Sequence, residues 1–271
     1  MPELPEVETV ARGLRAALLG RRLVAIPKLR ASMFRGDDPA QLAGAEITAV
    51  LRAGKYLVLE LRAPRARWQF MIHLGMTGQL LVTPPDTAPA PHTHAVFAFD
   101  DHRQLHFRDA RRFGRLALAL APASGFAPTL HVASGREPLE ITEPEFWELF
   151  RRRQSPIKNA LMNQRLLRGL GNIYADESLY RAGIDPRARS VSRSRLEGLR
   201  RAIRAVLREA IAAGGSSISD YLDSSGEPGW FHLRHRVYGR TGEPCLRCRR
   251  PIRRIVLAGR SAHFCAHCQR R

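Results

Sequence analysis

Val7, Val10, Leu14 and Leu18 recur at three- and four-residue steps, the spacing of one buried helix face. The pattern predicts a helix over residues 6–19, opened by Pro5 with the acidic Glu6 and Glu8, and stopped at Gly20. Beyond it the period shortens. Residues 23–29, 47–51, 56–61, 68–74, 79–82, 95–99, 104–107 and 115–120 read as short strands, several alternating in polarity, with no long helical pattern between them. Such a run predicts an antiparallel sandwich or barrel. The Pro/Ala-rich stretch 84–91 reads as a loop, and 121–128 as an interdomain linker. From Glu143 the period becomes helical again, predicting helices at 143–153, 156–165, 172–183 and 192–213, the last ended by Gly214-Gly215. Residues 216–235 look irregular, and a cysteine-bearing tail follows. No internal repeat is visible.

A chain of 271 residues can bury more than one core without covalent staples. No apolar run is long enough to span a bilayer as a helix, and the acidic start lacks the continuous apolar region of a secretion signal. The expectation is a cytoplasmic protein without a membrane partner. Charge then narrows the class: the net value is +19, of which +13 falls in residues 136–271, and Cys245 to Arg271 holds eight arginines and no acid. That concentration is the footprint of a polyanion binder. Arginine supplies 41 of the cations, so Lys28, Lys55 and Lys158 stand out as places where a compact ammonium could be required.

The strongest local motif is Cys245-x2-Cys248-x16-Cys265-x2-Cys268, two knuckles at the separation a four-thiolate zinc site needs. It uses every cysteine of the chain, which leaves His263 and His267 as secondary ligand candidates. At the other end, Met1-Pro2-Glu3 would expose a secondary amine once Met1 is trimmed, able to form a covalent iminium with an aldehyde carbon. Glu3 and Glu6 lie close enough in sequence to move protons, although such residues also simply open helices. Gly169-Leu170-Gly171-Asn172 places a glycine turn and an Asn cap before a helix, a ready anion site after the helix 156–165. Two further loops, His73–Gly78 and Asp109–Gly114, carry Met76, Arg111 and Phe113 beside glycines. Side chains of these types wedge between base steps in proteins that distort DNA, or else fold back into a core.

Taken in this order, the landmarks resemble the bacterial formamidopyrimidine-DNA glycosylase family nearly end to end. They are Pro2-Glu3-Leu4-Pro5-Glu6-Val7-Glu8-Thr9, Gly54-Lys55-Tyr56-Leu57, the two glycine-flanked loops, Gly171-Asn172-Ile173-Tyr174, Tyr238-Gly239-Arg240 and the four cysteines. The resemblance implies an α+β protein: residues 1–128 as an N-terminal helix with a β-sandwich, 129–235 as a helix–two-turn–helix domain, and 236–271 as a zinc ribbon holding one structural zinc ion. It implies a monomeric enzyme that removes oxidised purines from duplex DNA and cuts the strand. Pro2 would be the nucleophile and Glu3 the acid/base, with Lys55 and Arg260 also catalytic. Met76, Arg111 and Phe113 would fill the gap left by an everted base. His92, Lys158 and Asn172 would bind DNA, Glu6 and Glu177 would support the site, and the loop 216–225 would close over the base. Two rivals stay open at this point. One is the sister family that resembles endonuclease VIII, which attacks oxidised pyrimidines and usually has glycine where this chain has Leu4. The other is a non-catalytic zinc-ribbon DNA binder.

Overall fold

The first helix, α1 (Leu4–Leu18), starts two residues earlier than its apolar spacing predicts. Glu3 occupies the cap position, and Pro5 falls in the first turn, where its missing N–H leaves no bond unmade. The computed structural model describes residues 1–122, 134–217 and 221–271. Residues 123–128 of the expected linker and 218–220 of the expected closing loop lie outside the described residues.

Nine strands follow α1: β1 (Leu23–Leu29), β2 (Phe34–Gly36), β3 (Glu46–Ala53), β4 (Tyr56–Arg62), β5 (Arg67–His73), β6 (Gln79–Thr83), β7 (Thr93–Phe99), β8 (Gln104–Arg108) and β9 (Arg115–Leu120). They form two sheets, in the orders β1-β7-β8-β6 and β2-β9-β5-β4-β3. All eight predicted strands form. The ninth, β2, has only three residues and pairs parallel to β9, the exception in an otherwise antiparallel sandwich. Phe70 of β5 meets Phe97 of β7 edge-on at 5.2 Å, joining the two sheets, and Val7, Val10 and Leu14 of α1 pack into the same core.

The later elements are α2 (Glu143–Phe150), α3 (Ile157–Met162), α4 (Asn172–Ala182), α5 (Arg193–Ala212) and the hairpin β10 (Arg253–Leu257) with β11 (Arg260–Phe264). The described residues divide into two compact units: those of 1–132 with 214–230, and those of 133–213 with 231–271. Residues 214–230 therefore pack with the sandwich rather than with the helices. The reason is polar: Glu6 Oε1 accepts from the Ser216 amide at 2.8 Å, and the Tyr221 hydroxyl donates to the Glu6 carbonyl at 3.2 Å. The ribbon likewise shares a core with α4, through Tyr180, Val237, Cys245, Ile252 and Cys265. Among the described residues, no helix is long and apolar enough to cross a membrane.

Candidate active site and nucleic-acid interface

Pro2 is buried, and Glu3 and Glu6 are 3 % and 2 % exposed. The Glu6 carboxylate uses both oxygens: Oε2 accepts from the Glu3 amide at 2.8 Å, and Oε1 takes the Ser216 amide. One side chain thus fixes the backbone that carries Pro2 and Glu3 and ties it to the chain 210 residues later. Gly215 makes this approach possible, since its φ is +85° and a Cβ there would stand 2.9 Å from Glu6 Oε1.

Lys55 sits in the two-residue turn between β3 and β4, where Ala53 pairs with Tyr56. It is 8 % exposed, so it is not a solvated surface lysine. Arg52 connects this turn to α1: its Nε donates to Glu8 Oε2 at 3.0 Å and its Nη1 to the Gly54 carbonyl at 3.2 Å. The helix that presents Pro2 and the turn that presents Lys55 are therefore bridged by an arginine that no sequence pattern marked. Nearby, the His73 ring lies 4.7 Å from Tyr56, and its Nδ1 accepts from the Gly75 amide at 3.1 Å. Burial, then the charges of Lys55 and Arg115, depress the imidazole to about 4.

A depressed imidazole makes a signed prediction. Between pH 6.5 and 4 the unfolded chain binds a proton that the folded site refuses, so stability is full above 6.5 and falls as pH drops toward 4. The loss is on the order of 3 kcal/mol for this one half-buried histidine. Ring-proton NMR should show His73 titrating near 4. A midpoint near 6.5 would show that neither the burial nor the Lys55 charge acts on it.

Met76 and Phe113 are 40 % and 47 % exposed, and the Arg111 guanidinium lies 4.7 Å over the Phe113 ring. Their two loops abut: a Cβ on Gly75 (φ +65°) would stand 2.6 Å from the Gly114 nitrogen and 2.9 Å from Phe113 Cβ. The three tips predicted as wedge candidates thus stand together rather than folding into the core. His92 is exposed at φ +66°, and its carbonyl accepts from the Asp109 amide at 3.0 Å.

In the second unit, Gln164 shapes the turns between α3 and α4, accepting from the Gly169 amide and donating to the Met162 and Leu170 carbonyls. Gly171, not Asn172, is the N-cap of α4. Asn172 is the first helical residue, and its Nδ2 reaches Ser261 Oγ at 3.2 Å instead of capping. Lys158 is also not a solvated lysine. It is fully buried, with Nζ 2.7 Å from Asp176 Oδ1 and bonded to the Ser261 carbonyl. Asp176 Oδ2 accepts from the His263 amide at 2.8 Å and lies 3.1 Å from its ring Nδ1. Lys158, Asp176 and His263 together fasten β11 to α3 and α4, and Asp176 was missed by sequence reasoning because nothing local distinguishes it from Glu177. Glu177 is buried and accepts from the amides of Arg236, Val237 and Tyr238 at 2.9–3.0 Å, which anchors the loop entering the ribbon. Arg260 is exposed where β11 leaves its hairpin turn.

The Sγ atoms of Cys245, Cys248, Cys265 and Cys268 all lie within 4.8 Å of one another, with Cys245–Cys268 at 3.9 Å and Cys248–Cys265 at 3.5 Å. Four thiols converging on one point without disulfides fit a tetrahedral zinc ion and a closed, structural coordination shell. His263 is turned to Asp176 and is not part of this cluster.

Family models match along most of the chain: the formamidopyrimidine-DNA glycosylase N-terminal domain over residues 1–116 and the H2TH domain of the same enzymes over 135–221. A zinc finger found in FPG and IleRS covers 242–271. The chain belongs to the formamidopyrimidine-DNA glycosylase family. A relative so named from Solibacter usitatus is 49 % identical over the full length of both chains. Among solved structures, a Lactococcus lactis Fpg mutant in complex with Fapy-dG-containing DNA is 33 % identical, with a TM-score of 0.88 over all of both chains. MutM in complex with carbocyclic 8-oxo-G-containing DNA is 34 % identical at a TM-score of 0.89, again over all of both. Membership in this glycosylase family makes one structural zinc the cofactor of the four-cysteine cluster.

Proposed function

We propose that this chain is a bifunctional glycosylase and abasic-site lyase that removes oxidised purines, 8-oxoguanine and formamidopyrimidines, from duplex DNA. The observation that carries the reading is the buried Pro2-Glu3 pair, locked by Glu6 at the head of α1, in a chain whose relatives are crystallised on such lesions. A base inside the stack is out of reach, so the nucleotide must be everted at a cost of a few kcal/mol. With Met1 removed, the Pro2 nitrogen lone pair attacks C1′ as the bond to the base nitrogen breaks, and the base leaves after protonation. Sugar-ring opening gives an iminium between Pro2 and C1′, which acidifies the C2′ protons. Loss of one expels the 3′ phosphate; a second elimination expels the 5′ phosphate; hydrolysis of the iminium frees Pro2. Glu3 moves protons at the sugar, and Lys55 and Arg260 serve the eliminations. His92, Asn172 and Arg260 hold the DNA, while Arg111 stands with Met76 and Phe113 in the gap left by the base. Lys158 supports Asn172 and Arg260 from beneath, through the Ser261 carbonyl. The zinc ribbon keeps the β10–β11 hairpin in shape.

Duplexes carrying one 8-oxoguanine, one formamidopyrimidine or one oxidised pyrimidine test the substrate class. Purine lesions should be released fastest, with phosphate left on both ends of the gap. Preference for the pyrimidine would place the chain with endonuclease VIII-like enzymes instead. Replacing Glu3 by Gln should slow base release by about 10²–10⁴-fold while duplex binding survives. Equal loss of binding would make Glu3 a structural cap only.

Wedge and grip separate by salt. Phe113→Ala should impair stack opening, read by a 2-aminopurine beside the lesion, and leave the salt dependence of binding intact, because Phe113 neutralises no phosphate. Arg260→Ala should lower the slope of log affinity against log salt by about one unit, through the counterion it no longer releases. The reverse pattern would show the two roles exchanged.

A further inference from the structure

Exposed apolar tips pose a problem that their loops must solve. Met76 and Phe113 lose contact area by standing away from the surface, and flexible loops would let them fold back. Something rigid must hold the backbone beneath them. The side chain at that position is Asp109, fully buried at the end of β8. Its Oδ1 accepts from the Thr77 hydroxyl and from the Arg111 amide at 3.2 Å, and its Oδ2 accepts from the Gly114 amide at 2.7 Å. Thr77 directly follows Met76, Arg111 is itself a tip, and Gly114 directly follows Phe113. One carboxylate therefore bonds at or next to all three tips, on both loops. Its own backbone is pinned as well: the Asp109 amide donates to the His92 carbonyl, and the His94 Nε2 lies 2.9 Å from the Asp109 carbonyl oxygen.

We propose that Asp109 is a positioning residue for base eversion, its carboxylate clamping the two loops so that Met76, Arg111 and Phe113 stand as one stiff wedge. The chemistry calls for a carboxylate. All three donors are neutral N–H or O–H groups pointing inward, and only an ionised acid accepts at both oxygens. An amide of the same shape turns a donor toward one of them, leaving a buried mismatch. The position of Gly75 against Gly114 leaves no slack between the loops, so relaxation at the clamp moves both.

The assignment rests on the wedge reading of the three tips, and Phe113→Ala serves as its control. Single-turnover base release should fall about ten- to hundredfold in Asp109→Asn, the effect of one unsatisfied buried partner. The 2-aminopurine opening signal should fall with it. Strand cleavage at a preformed abasic site in single-stranded DNA, where no stack is opened, should stay at the parent rate, as should the salt slope. Thr77→Val should give a smaller loss in the same readouts, and Thr77→Ser should restore the parent behaviour. Thr77→Val also carries the test should Asp109→Asn fail to fold. Parent-like opening in both Asp109→Asn and Thr77→Val, with opening impaired in Phe113→Ala, overturns the clamp alone. Equal loss on the single-stranded abasic substrate overturns it too, since the damage is then to the whole unit. Parent-like opening in Phe113→Ala overturns the wedge reading itself.

Discussion

Borohydride added during turnover on lesion-bearing duplex is expected to leave a protein–DNA adduct whose mass maps to the N-terminal peptide, on Pro2. Placing a single alanine ahead of Pro2 should abolish that adduct. One residue spans about 3.5 Å, so the new amine stands far from the position that Glu6 fixes for Pro2 and Glu3. A misplacement of even about 1 Å can cost a hundredfold in a positioned reaction, and here the loss should be larger. Duplex affinity should hardly change, because the amine is one cation among 44 basic side chains. An adduct that persists in the extended protein, or that maps to Lys55 in the parent, would remove Pro2 from the role of nucleophile. Glu6→Gln offers a graded companion. It keeps the shape but confronts one of the two amides, from Glu3 or Ser216, with an NH2 group, so base release should drop.

The second large effect concerns the metal. Freshly purified protein should contain one zinc per chain, and Cys265→Ser should lose it together with most of the DNA affinity. Metal binding is local folding energy in a small ribbon, on the order of 10 kcal/mol. The apolar contribution there is slight by comparison: Tyr180, Val237 and Ile252 are the residues packed around the two buried thiols. Without zinc the β10–β11 hairpin loses its base, and Arg260, proposed to meet a phosphate, loses its place in that hairpin. The sandwich should stay folded, since its core runs from α1 through both sheets and draws nothing from the cysteines. Near-ultraviolet circular dichroism of Trp68, which is buried in that core, would report it. Metal analysis without zinc, or a Cys265→Ser protein with parent affinity, would show that the thiol cluster does not organise the grip.

Periodicity and spacing by themselves determined a good deal of this protein. Strands 23–29 and 115–120 end at the residues their alternation marked, and the later helices fall within a few residues of the predicted spans. The two-knuckle cysteine spacing was enough to place four thiols on one point. These are local signals: side-chain direction repeats every 2 or 3.6 residues, and a knuckle closes over four. The order of short motifs was equally legible, and it carried the family. What only the tertiary structure decided was which polar groups meet. The strand Phe34–Gly36 is too short to show a period and exists because Leu116, Ala117 and Leu118 of β9 pair with it. Lys158 stood out in the sequence only as a rare lysine; it is buried because Asp176 and a carbonyl 103 residues away in the ribbon receive its charge. No local pattern marks Arg52, Asp109 or Asp176 as a fastening, yet each holds separate segments of its own unit together. A hydrophobic pattern says which face of an element turns inward. A buried charge is stable only where distant partners satisfy it, and that information lies in the packing of segments far apart along the chain.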